Sequence, residues 1–114
     1  MPAPGQGALG LEVRAEDQAV REALRLLDHA ESARAIAAER MLLAALGGGC
    51  QAPVAAYVGK GGTGKERLFG RVTASDGSVQ LTASAELDER DPAAAGLAVA
   101  NLLKAQGAES LLAR

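Results

Sequence analysis

Aromatic residues make up only 2% of the 114 residues, with Tyr57 and Phe69 the sole rings and no tryptophan. A core must therefore be assembled from Leu, Val, Ile and Ala, in a chain long enough for one domain and too short for two well-buried ones. Basic residues bring no surplus: 12 Lys and Arg stand against 14 Asp and Glu, a formal charge of −2. Nucleic acid, which calls for a basic patch and often stacking rings, is not expected as a partner. No apolar run approaches the roughly eighteen residues that span a bilayer, and the first ten residues lack the form of a leader, so no membrane role is expected. A single histidine, His29, has no second histidine or cysteine at a ligand spacing, which argues for a helix-end or solvated side chain and against a metal site.

One cysteine is present, Cys50, so an internal disulfide is impossible. That usage is compatible with a reducing cytoplasm. Cys50 follows Gly47, Gly48 and Gly49 and precedes Gln51, Ala52 and Pro53, so the thiol sits on a stretch with wide backbone freedom that Pro53 then ends. A lone cysteine reads either as a small buried hydrophobe or as a reactive thiol.

The chain opens with Pro2, Pro4, Gly5, Gly7 and Gly10, an irregular stretch by composition. Leu9, Leu11 and Val13 then alternate with Glu12 and Arg14, which predicts a short half-exposed strand. Asp17 is placed to cap a helix carrying Val20, Leu24 and Leu27 at helical spacing, with Arg21 and Arg25 off that stripe. Asp28 followed by Glu31 resembles a capping box and predicts a second helix through about Leu46, with Ile36, Leu42, Leu43 and Leu46 inward and Gly47 as its terminator.

Three strands follow: Ala52 to Val58, with Val54, Ala56 and Val58 on one face; Glu66 to Ala74, with Leu68, Gly70 and Val72 on one face; and Val79 to Leu87, with Val79, Leu81, Ala83, Ala85 and Leu87 on one face. Asp76 and Gly77 predict a two-residue hairpin turn, both at positive φ. Asp91 before Pro92 predicts a cap for a helix reaching about Gln106, with Leu97, Val99, Leu102 and Leu103 as its apolar surface. A last helical piece fits residues 108 to 113. The fold class is α+β, a small three-stranded antiparallel sheet with helices on one face, preceded by a strand and helix.

Gly59, Gly64 and Lys65 match a phosphate-binding loop at their spacing. However, Glu66 stands where a hydroxyl would be needed, and a strand pattern rather than a helix follows. A hairpin loop is the preferred reading, with a nucleotide-binding module the alternative. Asp88, Glu89 and Asp91 cluster at a strand-to-helix turn, where capping is favoured over catalysis.

Two separated motifs, Pro4-Gly5-Gln6-Gly7-Ala8-Leu9-Gly10-Leu11-Glu12 and the run from Ala38-Glu39-Arg40 to Gly48-Gly49-Cys50-Gln51-Ala52-Pro53-Val54, occur in the order found in porphobilinogen deaminases. The chain resembles the C-terminal portion of that family, with residues 1–27 as a return strand and connecting helix of an N-terminal domain and 28–114 as the cofactor-attachment domain. The return strand is then expected to be unpaired, weakly ordered or paired with another copy. The resemblance implies a cytoplasmic, monomeric parent transferase that condenses four porphobilinogen molecules, with loss of ammonia, into hydroxymethylbilane. It implies a dipyrromethane cofactor held by a thioether at Cys50, with Gly48 and Gly49 beside it. Arg14 matches an arginine near the pyrrole acetates and propionates, a task suited to a planar, permanently charged fork. Arg40 matches an arginine with a packing and ion-pairing role. Gly47 stands where the family usually has glutamate. Catalytic residues belong to N-terminal domains outside this chain, so an isolated chain is expected to be inactive. An inert structural domain is the other reading of the same residues.

Overall fold

A computed structural model describes residues 1–49 and 51–113. In chain order the elements are α1 (Gln18–Arg25), α2 (Ala30–Ala45), β1 (Val54–Lys60), β2 (Glu66–Thr73), β3 (Gln80–Glu86), α3 (Pro92–Ala105) and α4 (Ala108–Leu112). The sheet is an antiparallel meander in the order β1-β2-β3. Val54 faces Val72 and Tyr57 faces Phe69 across the first pair, while Gly70 faces Ala83 across the second.

Period-2 alternation decides which sheet face is covered. Val54, Ala56, Leu68 and Val72 are buried beneath Leu42 of α2 and Val99 and Leu103 of α3, and Ala108 of α4 joins the same cluster. Gly70 marks where the two helices meet the central strand, since a Cβ there would lie 2.7 Å from Val99 Cγ1 and 2.8 Å from Leu42 Cδ2. Tyr57, half exposed, belongs to the opposite face.

The helix pair α2 and α3 is held together by small residues. A Cβ on Gly96 would stand 2.4 Å from the Ala38 carbonyl oxygen and 2.8 Å from the Leu42 nitrogen, so the two backbones nearly touch. The buried stripe of α3 is therefore Ala95, Gly96, Val99, Ala100 and Leu103. Leu97 and Leu102, expected inward, are 50% and 48% exposed. A close backbone approach selects small side chains, and side-chain hydrophobicity alone points to the wrong positions.

Three local expectations change. Asp28 does not start α2: His29 does, its Nδ1 accepting from the Ser32 backbone N–H at 3.2 Å, while the Asp28 N–H still donates to the Arg25 carbonyl. The β2–β3 connection is longer than two residues. Its Gly77 N–H donates to the Ala74 carbonyl and the Ala74 N–H to the Val79 carbonyl, both at 2.8 Å, and only Gly77 has positive φ. Asp76 instead accepts from the Ser78 hydroxyl and N–H, which holds its carboxyl below the ordinary range. Val79 thus falls in the turn and is exposed. Asp91 occupies the cap position of α3, but its side chain makes no capping bond.

Residues 9–13 form no strand. They have no strand partner among the described residues, as expected for a return strand whose sheet lies elsewhere, with Leu9 97% exposed and Leu11 and Val13 also in solvent. Asp17 caps α1 as expected, accepting from the Val20 N–H at 3.2 Å, yet α1 buries none of its residues.

Candidate functional site

The cysteine-bearing loop begins where α2 ends, and that ending is tightly specified. Leu46 caps the C-terminus of α2, and Gly47 turns left-handed at φ +70. The Gly47 N–H donates to the Ala44 carbonyl at 3.0 Å and the Gly48 N–H to the Leu43 carbonyl at 3.1 Å. These two bonds are the Schellman pattern, which satisfies helix-end carbonyls and favours glycine at the first position beyond the helix. Gly48 is required for a different reason, because a Cβ there would lie 2.8 Å from both Leu43 Cδ1 and Ala52 Cβ. Gly47 and Gly49 both have open space, with nothing within 4 Å of an added Cβ, but Gly47 is held by its positive φ whereas Gly49 carries no such backbone demand. The first two glycines therefore fix the departure of the loop, where the sequence pattern alone suggested mobility throughout. Beyond the cysteine, the Ala52 N–H donates to the Gly49 carbonyl at 3.0 Å. Cys50 itself lies outside the described residues.

Arg14 stands on the projecting arm, exposed, its carbonyl accepting from the Asp17 N–H at 3.1 Å. Beside it, Leu9, Leu11 and Val13 face Leu24 and Leu27 across a shallow groove of about 360 Å³ that also includes Arg21, Arg25 and Asp28. Neither this groove nor four others on the described surface is lined by both Arg14 and the Gly47–Gly49 turn. Arg40, expected to pack and to pair, is exposed, and no ion pair among the described residues involves it.

The residue that sequence reasoning passed over is Glu39. It is only 9% exposed, one step from the fully buried Ala38. Burial pushes its carboxyl up from the ordinary value, and a hydrogen bond with the Gly5 backbone opposes that shift. The sequence did carry a signal: Glu39 stands three and seven residues before Leu42 and Leu46, on the apolar stripe itself.

The chain start folds into consecutive turns. Pro4 and Gly5, the latter at φ +72, sit at the centre of a turn closed by the Gln6 N–H on the Ala3 carbonyl at 3.1 Å. Proline followed by a positive-φ glycine is the sequence form of a type II turn. A second contact pins the same segment to the sheet edge, where the Ala56 N–H donates to the Pro2 carbonyl at 2.9 Å.

The glycine-rich stretch after Val58 forms a hairpin loop. The Gly61 N–H donates to the Lys65 carbonyl and the Gly64 N–H to the Gly61 carbonyl, so these amides are used within the loop. Glu66 then begins β2 and pairs with Arg34 of α2 at 3.5 Å. No helix N-terminus follows to receive a phosphate. His29 is spent on its cap, and no group of three or more His, Cys, Asp or Glu among the described residues is placed to hold a metal. Asp88 accepts from the Arg90 N–H at 2.9 Å, which is a turn-forming role. No helix among the described residues is long and apolar enough to cross a membrane.

A meander with helices on one face, and a loop launched from the buried helix by a fixed glycine turn, define a small α+β domain of the class whose family model spans residues 33–105. That model is described as porphobilinogen deaminase, C-terminal domain. Similarity extends over nearly the full chain: 42% identity over 113 residues to porphobilinogen deaminase of Lawsonia intracellularis, and 44% over 112 residues to that of Moorella thermoacetica. The same-named protein of Desulforudis audaxviator is 43% identical over 114 residues. The chain belongs to the porphobilinogen deaminase family. It covers 98 to 100% of its own length in these matches but spans only 36 to 37% of the length of those curated relatives.

Proposed function

We propose that this chain is the cofactor-carrying portion of a hydroxymethylbilane synthase, a transferase of tetrapyrrole and heme biosynthesis acting in the cytoplasm. The observation that carries the reading is the end of α2: Gly47 and Gly48 fix where the loop leaves the helix, and Gly49, with open space around it, immediately precedes the only thiol. A thioether at Cys50 to a dipyrromethane cofactor fits these residues, because the thiol must be able to ionise and bulky rings must be able to approach the backbone. When bound, that group supplies the nucleophilic pyrrole carbon onto which four porphobilinogen units are condensed with loss of ammonia.

The residues of this chain bind and orient. Arg14 takes a pyrrole carboxylate through its guanidinium fork, and its exposure on the arm leaves it able to meet a substrate held mainly by other domains. Residues 1–27 serve as a return strand and connecting helix, and 28–114 as the attachment domain. The exposed alternation of Leu9, Leu11 and Val13 fits a strand completed by another part of the parent enzyme. Proton transfer and most of the positive charge that polyanionic pyrroles need are assigned to that other part, since this chain carries a net −2. Alone, the chain is not expected to turn over.

Intact mass tests the reading. The chain is mixed with a separately produced N-terminal portion of a family member and porphobilinogen or preformed hydroxymethylbilane. An added dipyrromethane on wild type and none on Cys50→Ala is the expected result. No adduct on wild type, while an uninterrupted relative loads under the same conditions, would reduce this chain to an inert structural domain.

A further inference from the structure

Two arginines of β2 share the sheet face that lies opposite the helices, and only one of them is spent. Alternation puts Arg67, Phe69 and Arg71 on the far side from the buried Leu68, Gly70 and Val72. Arg67 is engaged: its Nε donates to the Ser84 hydroxyl oxygen at 2.9 Å, and its Nη1 stands 3.9 Å from Glu86 Oε1. Arg71 enters no ion pair among the described residues, and its Nε is closed off from solvent with no acceptor. A buried donor left unmet costs free energy, so this atom calls for an acceptor that the chain does not supply.

A groove of about 360 Å³ opens beside it, lined by Phe69, Arg71, Thr82 and Ser84 together with Met1. Register explains the grouping, since Arg71 faces Thr82 and Phe69 faces Ser84 across the β2–β3 pair. Gly70 and Ala83, which belong to the helix-covered face, also border it, so the backbone of the two strands forms its floor. The chemistry of the lining is one-sided. No Asp or Glu contributes, and a guanidinium can only donate. The Ser84 oxygen already accepts from Arg67, which leaves its proton to be given elsewhere, and the Thr82 hydroxyl adds another donor. In the groove at the far end of the sheet, by contrast, Arg34, Lys65 and Arg90 are matched by Glu66, Glu86, Asp88 and Glu89. Only the Arg71 groove combines an unpaired cation with a ring, Phe69, as its apolar wall.

We propose that this groove is a binding site for a small aromatic carboxylate, with the carboxylate on the Arg71 guanidinium and the Thr82 and Ser84 hydroxyls and the ring against Phe69. A planar fork suits a carboxylate and also packs flat against rings. Met1, half exposed and unbranched, yields to an entering ligand, whose carboxylate then meets the Nε that the chain leaves unmet. The site uses neither Cys50 nor Arg14 and does not rest on the function proposed above.

Benzoate is the probe, titrated into the isotope-labelled full chain and followed by backbone amide shifts. Saturable shifts gathered at Phe69, Arg71, Thr82 and Ser84 are expected, with a Kd of about 1 mM. Arg71→Gln weakens binding about tenfold through loss of the charge-assisted pair. Arg71→Lys recovers part of that loss, because an ammonium keeps the charge without the fork. Phe69→Leu still binds acetate but no longer prefers benzoate to it, and Arg90→Gln, in the mixed-charge groove, leaves benzoate binding unchanged. Both Arg71 and Phe69 point away from the core, and unchanged melting of each variant verifies that the fold is kept. Shifts that do not saturate, shifts centred on Arg34 and Arg90, or an Arg71→Gln protein that binds as tightly as wild type would overturn the site. Acetate or inorganic phosphate binding wild type as tightly as benzoate would overturn the ligand class. Neither result depends on loading of Cys50, so it stands apart from the mass experiment.

Discussion

Replacing Gly96 with alanine separates two effects that usually run together. In an exposed helix interior, glycine to alanine stabilises by about 1 kcal/mol through backbone entropy and helix propensity. At Gly96 the new Cβ would lie 2.4 Å from the Ala38 carbonyl oxygen, 2.7 Å from Met41 Cβ and 2.8 Å from the Leu42 nitrogen. Carbon contacts are most favourable near 3.5 Å, so α2 and α3 must part by roughly 1 Å. Two of the three atoms are backbone, and no rotamer change relieves them. Overpacking of this kind costs about 1–3 kcal/mol, and parting the helices also thins the contacts of Leu42 with Val99 and Leu103. Taking the upper end and subtracting the propensity gain leaves a net loss of about 2 kcal/mol. In a domain of this size that lowers Tm by about 10 °C. Thermal unfolding followed by circular dichroism measures it directly. A Gly96→Ala protein as stable as wild type, or more so, would show that the helices do not meet through backbone and would refute the packing argument.

Leu42→Ala, at the centre of the core, is expected to cost about 2–5 kcal/mol in urea unfolding, and a loss below 1 would mean the core is not built around α2. Gly47→Ala meets no neighbour but forces a side chain to φ +70, so a loss of about 1–2 kcal/mol with an unchanged denaturant slope is expected. The Arg34–Glu66 pair, part-buried at 3.5 Å, should show a coupling of no more than about 1 kcal/mol in a double-mutant cycle. Glu39 has a raised folded-state pKa, so its favourable contribution is full below its unfolded value and is lost as pH rises through the folded one. Glu39→Gln should therefore gain stability over wild type at neutral pH, with the gain shrinking as pH falls towards 4.5, and an equal difference at both pH values would contradict the assignment.

The sheet was legible because strand alternation is written in the same residues that bury it: Val54, Ala56, Leu68, Gly70 and Val72 all face inward as their period dictates. Gly47 was legible as a helix terminator because positive φ is a backbone demand that few residues meet. Failures came where an interaction is made by an unexpected atom or across a long separation. His29 caps with a ring nitrogen rather than a carboxylate. In α3, Gly96 owes its place to a carbonyl of another helix, which no local pattern in residues 92–105 discloses. Leu9 to Val13 is no such failure: it carries a strand pattern and, as expected, has no sheet partner among the described residues, since alternation specifies a face and not a partner. At the candidate site, the glycine run and Arg14 could be singled out from sequence, but the distinct duties of Gly47, Gly48 and Gly49 could not. Glu39 was hidden because a charged residue on an apolar stripe is read as an interruption until its partner is seen.

The order β1-β2-β3, with every strand beside its sequence neighbour, has a kinetic meaning. Both hairpins close over short loops, whereas the α2–α3 contact at Ala38 and Gly96 joins parts of the chain on either side of the whole sheet. Closing that distance carries more chain entropy than either hairpin, so the helix pair locks after the meander has brought its ends together. Changes at the Gly96 contact should then leave the folding rate nearly untouched and appear in the rate of unfolding. The small residues between the helices act as a late clasp, governing how long the domain stays shut once folded.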